Sequence, residues 1–331
     1  MRSKFVLIPL LFMTLAVPAF GQLSPAAKWA TEFATQYTVN ANLTYRTASN
    51  QQLKMDVYYR RNVTTPQPTL VYMHGGFWVA GAKETAITAL MPWLEMGWNV
   101  VNVEYRLGVA TDPTTLAPAA VDDCFCALRF AAALPANYNI DKSRIVVTGE
   151  SAGGHLALAM GMIPESAGLG KECAGAAAPP AAGGGRGAAA APAAAPATPP
   201  VLPPVPKVAA VINWFGVTDV PDVIDGPNRQ QAAARWFGDM PLPNALDIAK
   251  RVSPLTYVRA GLPPIITIHG DADRVVPYPE GVRLHEALAK INSPNQLVTV
   301  PGAGHGNFSA EDRVKVYTAI REFLTKNGVM K

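Results

Sequence analysis

A chain of 331 residues has room for two domains of about 150 residues each, or for one large α/β domain. Hydrophobic residues make up 49% and charged residues 16%, which supplies a sizeable core and excludes global disorder. Lys and Arg number 28 against 24 Asp and Glu, a formal charge of +4 with no basic cluster carrying interleaved aromatics, so nothing points to a nucleic-acid partner.

The first element in chain order is a leader. Arg2 and Lys4 precede an apolar run from Phe5 to Phe20, and no further charge follows until Lys28. A positive start, an apolar stretch and small residues at Ala19 and Gly21 form the layout of a secretory signal peptide, with cleavage expected after Gly21. The run has 16 residues and two prolines, short of the roughly 20 needed to span a bilayer, so no stable membrane insertion is expected after cleavage. Without Arg2 and Lys4 the charge falls to +2. The mature chain is therefore expected in a periplasm or outside the cell, as a single domain from residue 22 to 331.

Beyond the leader, Leu53–Tyr59 alternates with period two and predicts an antiparallel strand. Short runs rich in β-branched residues follow at Thr69–Met73, Val100–Val103, Ile145–Thr148, Val208–Trp214, Ile265–Ile268 and Gln296–Val300. Continuous apolar strands of this kind suit a mostly parallel sheet buried on both faces. Helical patterns lie between them at Ala117–Ala133, Ala152–Met162, Pro279–Ile291 and Ala310–Lys326. This alternation predicts an α/β doubly wound fold with helices on both faces, whose chemistry gathers at the carboxyl ends of the strands.

Three cysteines fall in this span, and export would let disulfides persist. Cys124 and Cys126 are two apart on one helix and point in different directions, so they do not bridge each other. Cys124 lies nearer the apolar stripe of Val121, Phe125, Leu128 and Ala132, which favours a Cys126–Cys173 pair with Cys124 free and buried. No Cys or His spacing fits a zinc site, and no metal is expected. The segment 174–206 stands apart: of its 33 residues, 14 are Ala, 9 Pro and 5 Gly. It has few groups to pack a core and reads as an insert on the surface of one domain.

The chemistry is concentrated in four motifs. After the strand ending at Thr148 comes Gly149-Glu150-Ser151-Ala152-Gly153-Gly154, a G-x-S-x-G pattern. A serine there sits on a tight strand-to-helix turn that small neighbours permit. A hydroxyl needs a base to become a nucleophile, and the chain has five histidines. His74 belongs to another motif, His155 lies on the serine's own helix, His269 is inside a strand and His285 within a helix pattern. His305 remains, in a glycine-rich loop after the last strand. The acid is expected after the preceding strand, in His269-Gly270-Asp271-Ala272-Asp273. Asp273 is assigned to orient the imidazole, and Asp271 is the competitor, with capping of the loop backbone as its other role. The order Ser151, Asp273, His305 is that of α/β-hydrolases. His74-Gly75-Gly76 follows a strand, and the N–H groups of Gly75 and Gly76 with that of Ala152 form a three-donor oxyanion hole.

These segments (HGGFW, GESAGG, HGDADRVVP and PGAGHG) resemble the α/β-hydrolase esterases of the hormone-sensitive-lipase and bacterial feruloyl-esterase-like (BD-FAE-like) groups over roughly residues 40–326, apart from the Ala/Pro tract. The resemblance implies an α/β-hydrolase fold with Ser151 as nucleophile, Asp273 as acid and His305 as base, and Gly75, Gly76 and Ala152 as oxyanion donors. It implies no metal or organic cofactor. Val103-Glu104-Tyr105-Arg106-Leu107 and Pro118–Asp123 resemble structural segments of that family, and an Arg106–Asp123 contact is expected.

The expected substrate is a small soluble ester, an acetyl or feruloyl ester of a plant polysaccharide among the options. Phe77, Trp78, Trp214 and Phe215, with Trp236 and Phe237, are candidates to line an acyl or aryl pocket; core packing is the alternative for aromatics in such runs. Other readings stand beside the esterase. Prolyl-oligopeptidase-type peptidases share the serine and acid motifs, but roughly 40 upstream residues leave no room for their propeller. Arylformamidases share the HGG-aromatic-Trp motif in a usually intracellular setting. A non-catalytic binding protein on this fold would be expected to have lost part of the constellation. The oligomeric state is left open by the sequence.

Overall fold

The computed structural model of the protein describes residues 23–171, 173–179 and 201–331. The leader expected at 1–21 and the centre of the Ala/Pro tract lie outside these residues. The chain divides after Gln36 into two compact units. The first contributes helix α1 (Pro25–Gln36), in which Trp29 stacks on Phe33 one turn later at 5.4 Å.

The second unit, Tyr37–Lys331, is built on one eight-stranded sheet. Its strands are β1 (Tyr37–Ala48), β2 (Gln51–Arg60), β3 (Gln67–Met73), β4 (Asn99–Val103), β5 (Ile140–Glu150), β6 (Ala210–Trp214), β7 (Ile265–Gly270) and β8 (Asn295–Val300). They lie in the order β1-β2-β4-β3-β5-β6-β7-β8, with the β1–β2 and β2–β4 pairs antiparallel and all pairs from β4 to β8 parallel. The helices are α2 (Ile87–Glu95), α3 (Ala119–Ala133), α4 (Ala152–Met162), α5 (Val220–Asp225), α6 (Gln231–Ala234), α7 (Leu242–Val252), α8 (Pro279–Lys290) and α9 (Ala310–Lys326).

Every residue of β4, β6 and β7 is buried, so the continuous apolar runs do mark strands covered on both faces. Alternation along β6 separates the layers. Asn213 turns toward α4, where its Oδ1 would meet a Cβ at Gly154, while Trp214 turns to the other face and packs against Tyr317 of α9. Tyr317 in turn meets Trp93 of α2.

One expectation about burial changes. Cys126 is as fully buried as Cys124, because α3 is covered on nearly all sides and has no free face. Cys126 is bonded to Cys173 with the Cα atoms 5.4 Å apart, and Cys124 is the free thiol. The start of the Ala/Pro tract, though partly exposed, is hydrogen-bonded to β1. Thr47 N–H donates to Gly175 O, Ala177 N–H to Tyr45 O, and Arg46 Nε to Ala174 O.

The Arg106–Asp123 contact is present, and it has a second cation. Arg106 donates through Nε and Nη2 to the two Asp123 oxygens at 2.8 and 2.9 Å, and Arg46 Nη1 donates to Oδ1 at 2.7 Å. Asp123 is fully buried, and among the described residues its charge is compensated by these donors and the Arg106 N–H. Removing one partner of a buried pair strands the others. Asp123→Ala is expected to lower stability by about 3–5 kcal/mol, measured by urea unfolding.

Candidate active site

Three segments that are remote in sequence meet at the carboxyl edge of the sheet. Ser151 lies between the last residue of β5 and the first of α4, with φ 56° and ψ −118°, a conformation that side chains rarely adopt. Its N–H donates to Trp214 O at 2.9 Å, and its carbonyl accepts the His155 N–H at 3.0 Å. The turn is tight enough that a Cβ on Gly153 would lie 2.1 Å from Met73 O.

Asp273 follows β7 with its side chain buried. Oδ1 accepts the N–H groups of Val275 and Val276 at 2.8 and 3.0 Å, and Oδ2 accepts His305 Nδ1–H at 2.7 Å. His269 Nε2 lies 3.4 Å from the same Oδ2 and donates to Val276 O at 2.9 Å. Burial works against the charged carboxylate, yet the hydrogen bonds from His269 and His305 and from the backbone hold it well below the usual carboxylate range. Asp271 does something else: it is exposed, and its Oδ1 accepts the Gly302 N–H at 2.6 Å. The acid in contact with the histidine is thus Asp273, and Asp271 caps the neighbouring loop.

With Nδ1 donating to Asp273, the lone pair of His305 is on Nε2, the atom a general base needs. The ring is about one-fifth exposed and meets Phe215 edge-on at 4.7 Å. The Ser151–His305 hydrogen bond is not formed here; catalytic hydrogen bonds of this kind commonly tighten only in the substrate complex.

The loop after β3 carries Gly75 and Gly76, whose N–H groups are taken up by no other group among the described residues. The N–H of Ala152, first in α4, has no intrahelical acceptor for geometric reasons. His74 braces this loop from below: its Nδ1–H donates to Gly75 O at 2.8 Å, its ring stacks on Tyr105, and Tyr105 OH donates to His74 O.

The aromatic candidates separate into two groups. Phe77 is partly exposed and Phe215 sits beside His305, so both border the site. Trp78 and Trp214 do not. Trp78 is fully buried, stacked on the equally buried Trp236 at 4.4 Å, and Trp214 is packed between Tyr317 and Phe308. Phe237 is likewise in the core. Large flat rings gain more from close packing than from a solvated wall. A polar cavity of about 420 Å³ adjoins Gly75 and Glu150, lined also by Tyr72, Thr85, Thr88 and Arg313. Burial pushes the Glu150 carboxyl up, opposed by Arg313 and His305.

Nothing local in the sequence marks the partners of His155. It accepts the Trp78 indole N–H on Nδ1 at 3.0 Å and donates from Nε2 to Val252 O at 2.8 Å.

A strand–serine–helix turn, an Asp–His pair after the last two strands and a glycine loop beside them define an α/β-hydrolase. The chain belongs to the BD-FAE family, whose sequence profile matches residues 55–183 and 201–288. It is similar to esterase LipC of Mycobacterium tuberculosis (26% identical over 255 residues, 76% of this chain and 56% of LipC). It also resembles carboxylesterase NlhH of the same species (35% over 113 residues, 34% of each chain). The chain thus spans about half the length of LipC and a third of NlhH. Among solved structures it resembles a thermophilic esterase of Thermogutta terrifontis, Est2 (26% identity, TM-score 0.63, covering 90% of this chain and 95% of that one). It also resembles a truncated carbohydrate esterase from gut microbiota (26%, TM-score 0.67, covering 88% and 98%).

Burial lowers the His155 pKa from 6.5 to about 4, against the hydrogen bond to Val252. The folded protein therefore binds this proton less readily than the unfolded chain. The resulting stabilisation is full above pH 6.5 and is lost as pH falls toward 4, by about 3 kcal/mol in total. Urea unfolding from pH 7 to 4 is expected to show this slope, and His155→Asn to remove it.

Proposed function

We propose that the protein is an exported serine carboxylic-ester hydrolase acting on small or short-acyl esters. The observation that carries the reading is the 2.7 Å hydrogen bond from His305 to buried Asp273, at the sheet edge where Ser151 stands on its strained turn.

In this reading Ser151 Oγ attacks the ester carbonyl as His305 Nε2 takes its proton. Asp273 holds the imidazole tautomer and stabilises the imidazolium. The N–H groups of Gly75, Gly76 and Ala152 receive the developing oxyanion, where one donor is typically worth about 3–4 kcal/mol. The imidazolium then protonates the departing alcohol. Water activated by His305 releases the acid from Ser151.

Export is supported by the leader pattern and by the Cys126–Cys173 disulfide, since such bonds persist outside reducing compartments. An acetyl or feruloyl ester with a hydroxylated alcohol part is favoured by two features. One is the likeness to a carbohydrate esterase; the other is the hydroxyl- and charge-rich cavity beside Gly75 and Glu150.

The test is turnover of p-nitrophenyl esters of increasing acyl length, beside a peptide anilide. Ser151→Ala is expected to cost on the order of 10⁴- to 10⁶-fold. Anilide cleavage exceeding ester cleavage would move the reading to a peptidase, and ester turnover that survives in Ser151→Ala would overturn it. Asp273→Asn is expected to lower kcat by about 10⁴-fold through the wrong tautomer. Asp271→Asn, which only weakens a loop hydrogen bond, should leave kcat nearly intact; the reverse ranking would exchange their roles.

A further inference from the structure

The loop that carries Gly75 and Gly76 is held in an unfavourable shape. Gly76, Phe77 and Trp78 have φ of 126°, 52° and 61° in succession, and the two aromatic residues have no intrinsic preference for that region. Such a segment keeps its shape only when its surroundings over-determine it.

Trp78 supplies the fixing point. Its ring is fully buried, lies flat on Trp236 at 4.4 Å and meets His155 edge-on at 5.0 Å. Its carbonyl accepts the Gly108 N–H at 2.8 Å. The indole N–H, the one polar atom of the side chain, is satisfied by His155 Nδ1 at 3.0 Å.

His155 is fully buried on α4, four residues after Ser151, and its main-chain N–H donates to Ser151 O at 3.0 Å. Its Nε2–H is anchored on Val252 O, at the end of α7. One imidazole therefore joins the glycine loop, the helix that begins with Ala152 and the close of α7. The acceptor on Nδ1 exists only while the ring is neutral, and burial favours that form.

We propose that Trp78 and His155 are a positioning pair: their indole–imidazole hydrogen bond sets the N–H groups of Gly75 and Gly76 against that of Ala152, so that the three donors converge on one oxyanion. The inference rests on the esterase reading above and assigns a second histidine to it. His305 moves the proton, and His155 fixes the place where charge collects. Neither Trp78 nor His155 touches substrate.

The test compares Trp78→Phe, which keeps an aromatic ring and removes the N–H, with His155→Leu, which removes the acceptor, and His155→Asn, whose Oδ1 stands near the place of Nδ1. Turnover per active site, counted by the burst with p-nitrophenyl acetate, is read beside Tm and the affinity for an aryl trifluoromethyl ketone that forms an oxyanion on Ser151. Trp78→Phe and His155→Leu are expected to lose about 10- to 100-fold in kcat with KM little changed, because displaced donors fail chiefly in the transition state. Ketone affinity should fall in parallel, and His155→Asn should recover most of the loss. A fall in Tm with turnover per site and ketone affinity at wild-type levels would overturn the proposal and leave the pair as ordinary core. Should His155→Leu not fold, Trp78→Phe decides alone. Full turnover in Ser151→Ala would sink the site reading and this inference together, whereas a silent Ser151→Ala beside an unimpaired Trp78→Phe would sink this inference only.

Discussion

The carbonyl of Met73, at the end of β3, lies so close to the serine turn that a Cβ on Gly149 or Gly153 would fall 2.5 or 2.1 Å from it. Met73 and Gly149 are register partners in the parallel β3–β5 pair, and α4 starts directly over them. Two bare glycines let the helix descend onto the strand ends. As a result, the loop after β3 and the turn after β5 leave the sheet side by side. The proposed oxyanion donors of one and the proposed nucleophile of the other share one place for this reason. Any side chain at Gly149 or Gly153 would lever α4 away from the sheet and separate them.

The same edge concentrates backbone strain. Phe77, Trp78, Ser151 and Phe215 all have positive φ, and each such residue costs about 1–3 kcal/mol. The compensation is packing. Trp78 is locked into the core with Trp236 and His155, while Phe215 is wedged among His305 and Phe308. The aromatic residues beside the site thus serve first to hold its backbone; Phe215 is itself buried against His305, and Phe77 is partly exposed.

Buried charges follow a similar economy of pairing. Asp123 is closed by Arg46 and Arg106, and Lys83 bonds both oxygens of Asp56 at 2.9 Å and also Glu84 at 2.7 Å. Asp273 is the carboxylate whose partners include the one-fifth-exposed His305 imidazole, so of these three networks it is the one that opens onto the candidate site. An ionised acid held in low dielectric and opening onto one histidine stabilises positive charge on that ring, which is what base catalysis asks of it.

Much of this was legible along the chain. The buried strands announce themselves as continuous apolar runs, and the serine, acid and histidine motifs each depend on a few neighbouring residues. Strand β1 is not legible along the chain because it is a polar edge strand with two register shifts, and α2 is not because Pro92 interrupts its pattern. The helices α5 and α6, of six and four residues, have too few turns to show a period. Local sequence determined the strand-turn-helix around Ser151, the order of the site residues and the glycines the turn requires, because those are set by backbone sterics within a few positions. Tertiary structure alone decided that Trp78 and Trp214 face the core, that Arg46 joins Asp123, and that His155 meets an indole 77 residues away. Those outcomes depend on which side chains long-range packing brings into contact, and no local periodicity carries that information.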